Sequence, residues 1–189
     1  MLAVAVPKPG QLLGQASVVA LVWVTLYFCN DWLFSNLAIS DRMSWVFLPA
    51  ALRMLAVMLL GWVGAVGLFV GSLLTGWLSV ADVQIGSLCL VSGISALAPL
   101  LAYVLCAKLL GIRTDLRGLD AYQLLCLSIV SAALSASLHS LHFSAIDYVH
   151  NFSDSFVPMF AGDLVGTLIV LYLGKIALGF INPNRHKTI

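Results

Sequence analysis

Six long apolar stretches alternate with short polar segments along the chain. A transmembrane helix needs about 20 mostly apolar residues. By this criterion we predict helices at residues 11–33, 45–62, 64–80, 84–110, 122–143 and 156–181. A very tight turn at residues 61–64 would join the second helix to the third. No linker is long enough to fold alone, so we expect residues 1–189 to form a single all-α domain, a polytopic transmembrane helix bundle.

The composition supports a membrane protein. Hydrophobic residues make up 61% of the chain and charged residues only 9%, and the mean hydropathy is +1.05. Since a soluble domain carries roughly 25% charged residues, most of the surface must face lipid, and the bilayer is the first expected partner. No basic patch lies outside the membrane flanks, so we expect no nucleic-acid partner.

The sequence contains no nucleophile elbow, P-loop, HExxH motif or glycine-rich nucleotide fingerprint. We therefore predict that the protein is not an enzyme, that no residue is catalytic and that no cofactor is bound.

The basic residues predict an orientation. An even number of helices places both termini on one side, and seven of the loop and terminal basic residues fall there: Lys8, Lys108, Arg113, Arg117, Lys175, Arg185 and Lys187. The other side holds only Arg42, together with Asp31, Asp41, Asp82, Asp147 and Asp154. Because cytoplasmic loops are rich in Lys and Arg, we predict a multi-pass protein of the bacterial inner membrane with both termini in the cytoplasm.

Two charged residues, Arg53 and Asp163, fall within predicted helices that both run inward from the outer face. At about 1.5 Å per residue, both would lie roughly 10–12 Å deep in the outer half of the bilayer. Charges at that depth are costly unless they have a partner or a function. Two interpretations are compatible: the residues neutralise each other as a structural ion pair, or they line a site open to the periplasm.

A polar stripe on the fifth predicted helix extends toward the same level. Ser131, Ser135, His139 and His142 are spaced by four, four and three residues, so they share one helix face. Histidines three apart can hold a metal, but a site needs further ligands that the sequence does not clearly supply. We therefore assign no metal and expect the two histidines near the rim of an outer site.

The second and sixth predicted helices each carry a proline near their start, Pro49 and Pro158. Both helices begin at the outer face, so the positive ends of their dipoles point there. A proline also frees a backbone carbonyl for a neighbour, water or a ligand. These features favour a small polar or anionic ligand, although the prolines would equally serve only to start or kink the helices.

Small residues recur on one face of two predicted helices: Gly64, Gly67, Gly71 and Thr75 on the third, and Gly162 and Gly166 on the sixth. Such spacing indicates that these helices pack closely against neighbours. Tryptophans near predicted helix ends suggest an aromatic belt: Trp32, Trp45, Trp62 and Trp77.

Two short motifs resemble a known family. The run Phe47-Leu48-Pro49-Ala50-Ala51-Leu52-Arg53, followed by Leu59-Leu60-Gly61 and Gly67-Leu68-Phe69-Val70-Gly71, resembles the membrane-associated sensor (MASE) family of type one. The run from Gly162 to Val170 resembles the closing helix of that family. The similarity covers roughly residues 45–178. It implies a bacterial integral-membrane sensory domain; since no output domain follows Ile181, we expect any signal to pass to a separate protein.

Three hypotheses follow. The first is a MASE-like module that binds a small ligand or a partner membrane protein from the periplasmic side. The second is a substrate-binding or other subunit of a small-molecule transporter, because the substrate-binding subunits of energy-coupling-factor transporters also have about six helices and an outward pocket. The third is an accessory subunit that only packs against a larger membrane complex.

Overall fold

The computed structural model describes residues 9–40, 43–79, 84–112 and 119–181. Its architecture is the predicted all-α bundle, with α1 (Pro9–Phe34), α2 (Pro49–Leu60), α3 (Trp62–Ser79), α4 (Ile85–Leu110), α5 (Ala121–Ala145) and α6 (Phe152–Ile181). A short 3-10 turn (Ser35–Leu37) and two antiparallel strands, β1 (Ala38–Ser40) and β2 (Met43–Ser44), connect α1 to α2. The apolar pattern did not predict this hairpin.

Five of the helices, all except α2, are long and apolar enough to cross a membrane, which supports a multi-pass membrane protein. With 12 residues, α2 is about 18 Å long, well short of the roughly 30 Å hydrocarbon core. The predicted second helix at residues 45–62 was therefore too long at its start. Residues 45–48 are apolar enough for a transmembrane helix. Apolar residues can also form a non-helical segment if other parts of the protein surround it, so apolarity alone misplaced the start of the helix.

Residues 45–48 form that non-helical segment, and other elements satisfy its backbone groups. The N–H of Trp45 donates to the carbonyl of Leu37 at 3.1 Å, and the N–H of Phe47 donates to Gly162 at 3.0 Å. The side-chain oxygen of Asn30 accepts from the N–H of Leu48 at 2.8 Å. Irregular backbone at membrane depth is tolerated only where its polar groups are satisfied in this way.

The glycines of α6 bring this segment close. A Cβ atom at Gly162 would overlap the carbonyl oxygen of Ser44, and one at Gly166 would overlap that of Phe47. Gly162 thus packs against the end of β2 and Gly166 against the non-helical segment, rather than against another helix. On α3, Gly64 packs in the same manner on the α2 backbone, and Gly67 and Gly71 pack on α1.

Helix α2 occupies the centre of the bundle. It contacts each of the other five helices, and most of its residues are buried, Arg53 included. The helix ends at Gly61, whose φ of +54° suits a residue without a Cβ atom. Trp62 then begins α3 directly, so the tight turn expected there is present.

Helix α6 begins four residues earlier than expected because of a capping interaction. The side chain of Asp154 accepts hydrogen bonds from the backbone N–H of Asn151 at 3.2 Å and from its side-chain amide at 3.1 Å. An acidic residue that reaches back in this way stabilises the first turn. The start at Phe152 places Pro158 inside the helix.

The hairpin marks one end of the bundle, which we call the hairpin end. There α1, α3 and α5 finish and α2, α4 and α6 begin. Lys108 and Lys175 lie in the halves of α4 and α6 toward the opposite end. The remaining loop and terminal basic residues used for the orientation, and Asp41 and Asp82, fall outside the described residues, so the orientation stays a prediction.

The tryptophans expected to form a belt are exposed: Trp32, Trp45, Trp62 and Trp77. Trp23 differs, since it is buried and donates its indole N–H to the Thr75 hydroxyl at 3.2 Å, joining α1 to α3.

Candidate functional site

The structure brings Arg53 and Asp163 together. Arg53 lies in the second turn of α2, and its Nη2 donates to Oδ1 of Asp163 on α6 at 2.5 Å. Both side chains are buried, with 5% and 7% of their surface exposed. A buried charge pair is tolerated only if the geometry is good and the remaining donors and acceptors find partners.

Ser135 on α5 supplies one of those partners. Its hydroxyl accepts from Nη1 of Arg53 at 2.7 Å and is also a hydrogen-bond neighbour of Asp163. The guanidinium carbon lies 5.3 Å from the centre of the Phe47 ring and 6.0 Å from that of Trp23, within cation–π range. The three polar residues thus connect α2, α5 and α6.

The two histidines of the predicted stripe separate. His139 is buried behind Ser135; its Nδ1 lies 2.8 Å from the Ser135 carbonyl, and its ring also lies beside the backbone of Val91. His142 instead hydrogen-bonds through Nε2 to the Ser87 hydroxyl at 2.8 Å, bridging α5 and the first turn of α4. The stripe therefore points one histidine toward Arg53 and uses the other for helix packing.

The prolines also differ. Pro49 occupies the first position of α2, where its missing N–H costs no helical hydrogen bond, and it is fully buried. Pro158 does not start a helix, because the cap at Asn151 and Asp154 has already begun α6. It instead removes one hydrogen bond from the second turn of α6, which frees the carbonyl four residues earlier.

A cavity of about 140 Å³ lies at the hairpin end beside the ion pair. That volume holds several water molecules or a small organic molecule. Its aromatic lining residues are Trp23, Tyr27, Phe34, Phe47 and Phe143. Its polar lining residues are Asn30, Asp31, Ser40, Ser44, Arg53, Ser72, Thr75, Ser95, His139 and Asp163. Ser135 and His142 are not among its lining residues.

Sequence reasoning missed several of these polar residues. Asn30, Ser72 and Ser95 are buried within α1, α3 and α4. Small polar residues inside apolar helices were a usable signal, but no helical stripe connects positions on three separate helices. Only the packing of the bundle shows that they face one space.

The cavity combines apolar walls with a few polar side chains. Within residues 9–40, 43–79, 84–112 and 119–181, no three His, Cys, Asp or Glu residues are grouped closely enough to hold a metal ion. Apolar walls with a few convergent polar groups are typical of small-molecule sites. Comparison of the chain with protein-family models, with curated proteins and with solved structures gives no match.

Proposed function

We propose that this protein binds a small polar molecule in the cavity beside Arg53, from the periplasmic side of the bacterial inner membrane. The observation that carries the proposal is the cavity itself, whose lining includes several polar side chains that are almost completely buried. Polar groups at membrane depth that face a cavity typically mark a substrate, ion or ligand site.

The orientation rests on the charge asymmetry of the loops. The positive-inside rule places both termini in the cytoplasm, and α1 then carries the chain outward to the hairpin end. Under this assignment the cavity opens to the periplasm, and Asp31, Asp147 and Asp154 lie on the outer side.

The resemblance to the MASE family of type one favours a sensory role. The segment before α2 and the start of the α6 motif belong to the two runs that carry this resemblance. They meet in the structure, where Phe47 hydrogen-bonds Gly162 and Arg53 pairs with Asp163. In a sensor of this kind, ligand binding beside Arg53 would change how α2 packs, and a partner membrane protein would receive the change.

A second candidate is the substrate-binding subunit of a small-molecule transporter, which the same cavity favours. Co-purification separates the two: a pair of ATPase subunits would support transport, and a kinase or cyclic-nucleotide enzyme would support sensing. A stable larger complex without any bound small molecule would instead support the accessory role.

The binding proposal is testable with a cavity-filling variant. A Cβ atom at Gly76, which lines the cavity, would meet only the flexible end of Leu88. Gly76→Leu therefore fills the space with little disturbance of the backbone. Gly93→Leu on α4 is the control, because nothing lies within 4 Å of a Cβ atom there.

Native mass spectrometry of protein extracted from native membranes into nanodiscs is the measurement. We expect a bound non-lipid mass on the wild type and on Gly93→Leu, and its loss from Gly76→Leu. Equal occupancy of Gly76→Leu, or a wild type that carries only lipid, would contradict the proposal.

A further inference from the structure

Two buried serine hydroxyls in the cavity lack partners. Ser72 on α3 is 6% exposed and Ser95 on α4 is 4% exposed, and both line the cavity. Within the described ranges neither hydroxyl makes a hydrogen bond to the protein. Serine and threonine inside a helix can bond back to a preceding carbonyl, as Thr75 does to Gly71 at 3.1 Å. The hydroxyls of Ser72 and Ser95 do not make such a bond to a preceding carbonyl.

Asn30 adds two donors to the same space. Its side-chain oxygen is engaged by Leu48, but its amide nitrogen has no partner among the residues that the structure describes. All three groups line the same cavity, so a molecule in it that accepts hydrogen bonds from them would supply the partners that they lack in the protein.

The charges around the cavity disfavour an ionic ligand. The charge of Arg53 is already offset by Asp163, and Asp31 adds a second carboxylate at the exposed part of the lining. An anion would find no net positive charge to replace its lost hydration. A cation would meet the guanidinium of Arg53, with His139 beside it. The charge balance thus favours an uncharged molecule, and the donors favour one that carries hydrogen-bond acceptors.

The aromatic walls suggest the shape of that molecule. Rings from α1, α5 and the segment before α2 surround the space, in the side chains of Tyr27, Phe47 and Phe143. Aromatic surfaces stack with planar apolar groups. The hydroxyls of Ser72 and Ser95 and the amide nitrogen of Asn30 would then donate hydrogen bonds to the polar edge of the ligand.

We infer that the cavity takes a small, uncharged, planar molecule whose hydrogen-bond acceptors are held by Asn30, Ser72 and Ser95. This inference rests on the proposed binding function and narrows its ligand class. The sequence was compatible with a polar or an anionic ligand, and this inference favours the uncharged polar one.

Three probes of nearly equal shape test the charge selectivity. Benzamide is neutral, benzoate is an anion and benzamidinium is a cation. Binding of each to the wild-type protein in nanodiscs is measured by equilibrium dialysis. We expect benzamide to bind at least about tenfold more tightly than either ion, a difference of about 1.4 kcal/mol. Tighter or equal binding of either ion, or no binding of benzamide at millimolar concentration, would overturn the inference.

Serine variants test the contacts. Ser72→Ala and Ser95→Ala each remove a hydroxyl that has no protein partner, so neither should lower the thermal stability. Each should weaken benzamide binding about 2- to 10-fold, the value of one hydrogen bond. Ser92→Ala is the matched control, since Ser92 is on the same helix as Ser95, is buried, lacks a partner and lies outside the cavity lining. Unchanged affinity in both cavity variants would refute the assignment.

The experiments distinguish a failure of the inferred ligand class from a failure of the proposed binding function. A charged molecule found by native mass spectrometry, displaced by Gly76→Leu, would leave the binding function intact and overturn the ligand class. A wild type that carries no molecule and binds no probe would defeat both.

Discussion

At the scale of single residues, Arg53 and Asp163 depend on each other because both side chains are buried and each supplies the opposite charge that the other needs. Ser135 and the rings of Phe47 and Trp23 complete the surroundings of the guanidinium. Removing one partner of a buried pair leaves the other charge uncompensated, which is why such single changes are costly even where the intact pair itself adds little stability.

A double-mutant cycle measures this dependence. We expect Arg53→Ala and Asp163→Ala each to lower the free energy of unfolding in detergent by about 3–5 kcal/mol. The double variant should lose less than the two single losses combined, because no charge remains unpaired. The measurement is a denaturant titration in mixed micelles. Losses that add to within about 0.5 kcal/mol would show that the residues are not coupled.

Part of this residue arrangement was predictable from the sequence. Opposite charges in two apolar helices that both run inward are sufficient to suggest a pair, and a shared helix face placed Ser135 and His139 on one side. The roles of Asn30, Ser72 and Ser95 could not be predicted, since each is a single polar residue on a different helix and only their packing places them around one cavity.

At the scale of the elements, the half-length helix α2 and the segment before it position the site. The helix starts at Pro49, and the N–H groups of residues 45, 47 and 48 bond instead to Leu37, Gly162 and Asn30. Apolar length alone predicted a longer helix. Composition cannot distinguish a helical residue from one whose hydrogen bonds go to other elements, so this error had a definite physical cause.

The close approach of α6 to this segment gives a sharp test. A Cβ atom at Gly166 would overlap the backbone of Phe47, whereas one at Gly174 on the same helix would meet nothing within 4 Å. Gly166→Ala should therefore lower the free energy of unfolding by about 1–3 kcal/mol through overpacking. Gly174→Ala should leave it unchanged or raise it by up to about 1 kcal/mol, because alanine is the better helix former.

The two glycine variants are compared by the same titration in mixed micelles. Equal effects of the two substitutions would show that Gly166 does not contact the segment before α2.

At the scale of the whole molecule, the protein is a helical bundle whose costly polar groups gather toward one end. The bundle class followed directly from the apolar stretches, and five long apolar helices support it. The sense of insertion rests on loop charges, and the function on a cavity that no sequence pattern could reveal. Together, the orientation and the proposed function lead to one central claim: the cavity beside Arg53 opens to the outside of the cell.

Thiol labelling in intact spheroplasts tests that claim most directly. Ser95→Cys is introduced after replacement of the native residues Cys29, Cys89, Cys106 and Cys126 by alanine. Ser92→Cys, buried outside the cavity, is the control. We predict that a membrane-impermeant thiol reagent labels Ser95→Cys from outside, that Gly76→Leu slows this labelling, and that Ser92→Cys stays unlabelled. Labelling of Ser95→Cys only in inside-out vesicles, or at the same rate as Ser92→Cys, would contradict an outward-facing cavity.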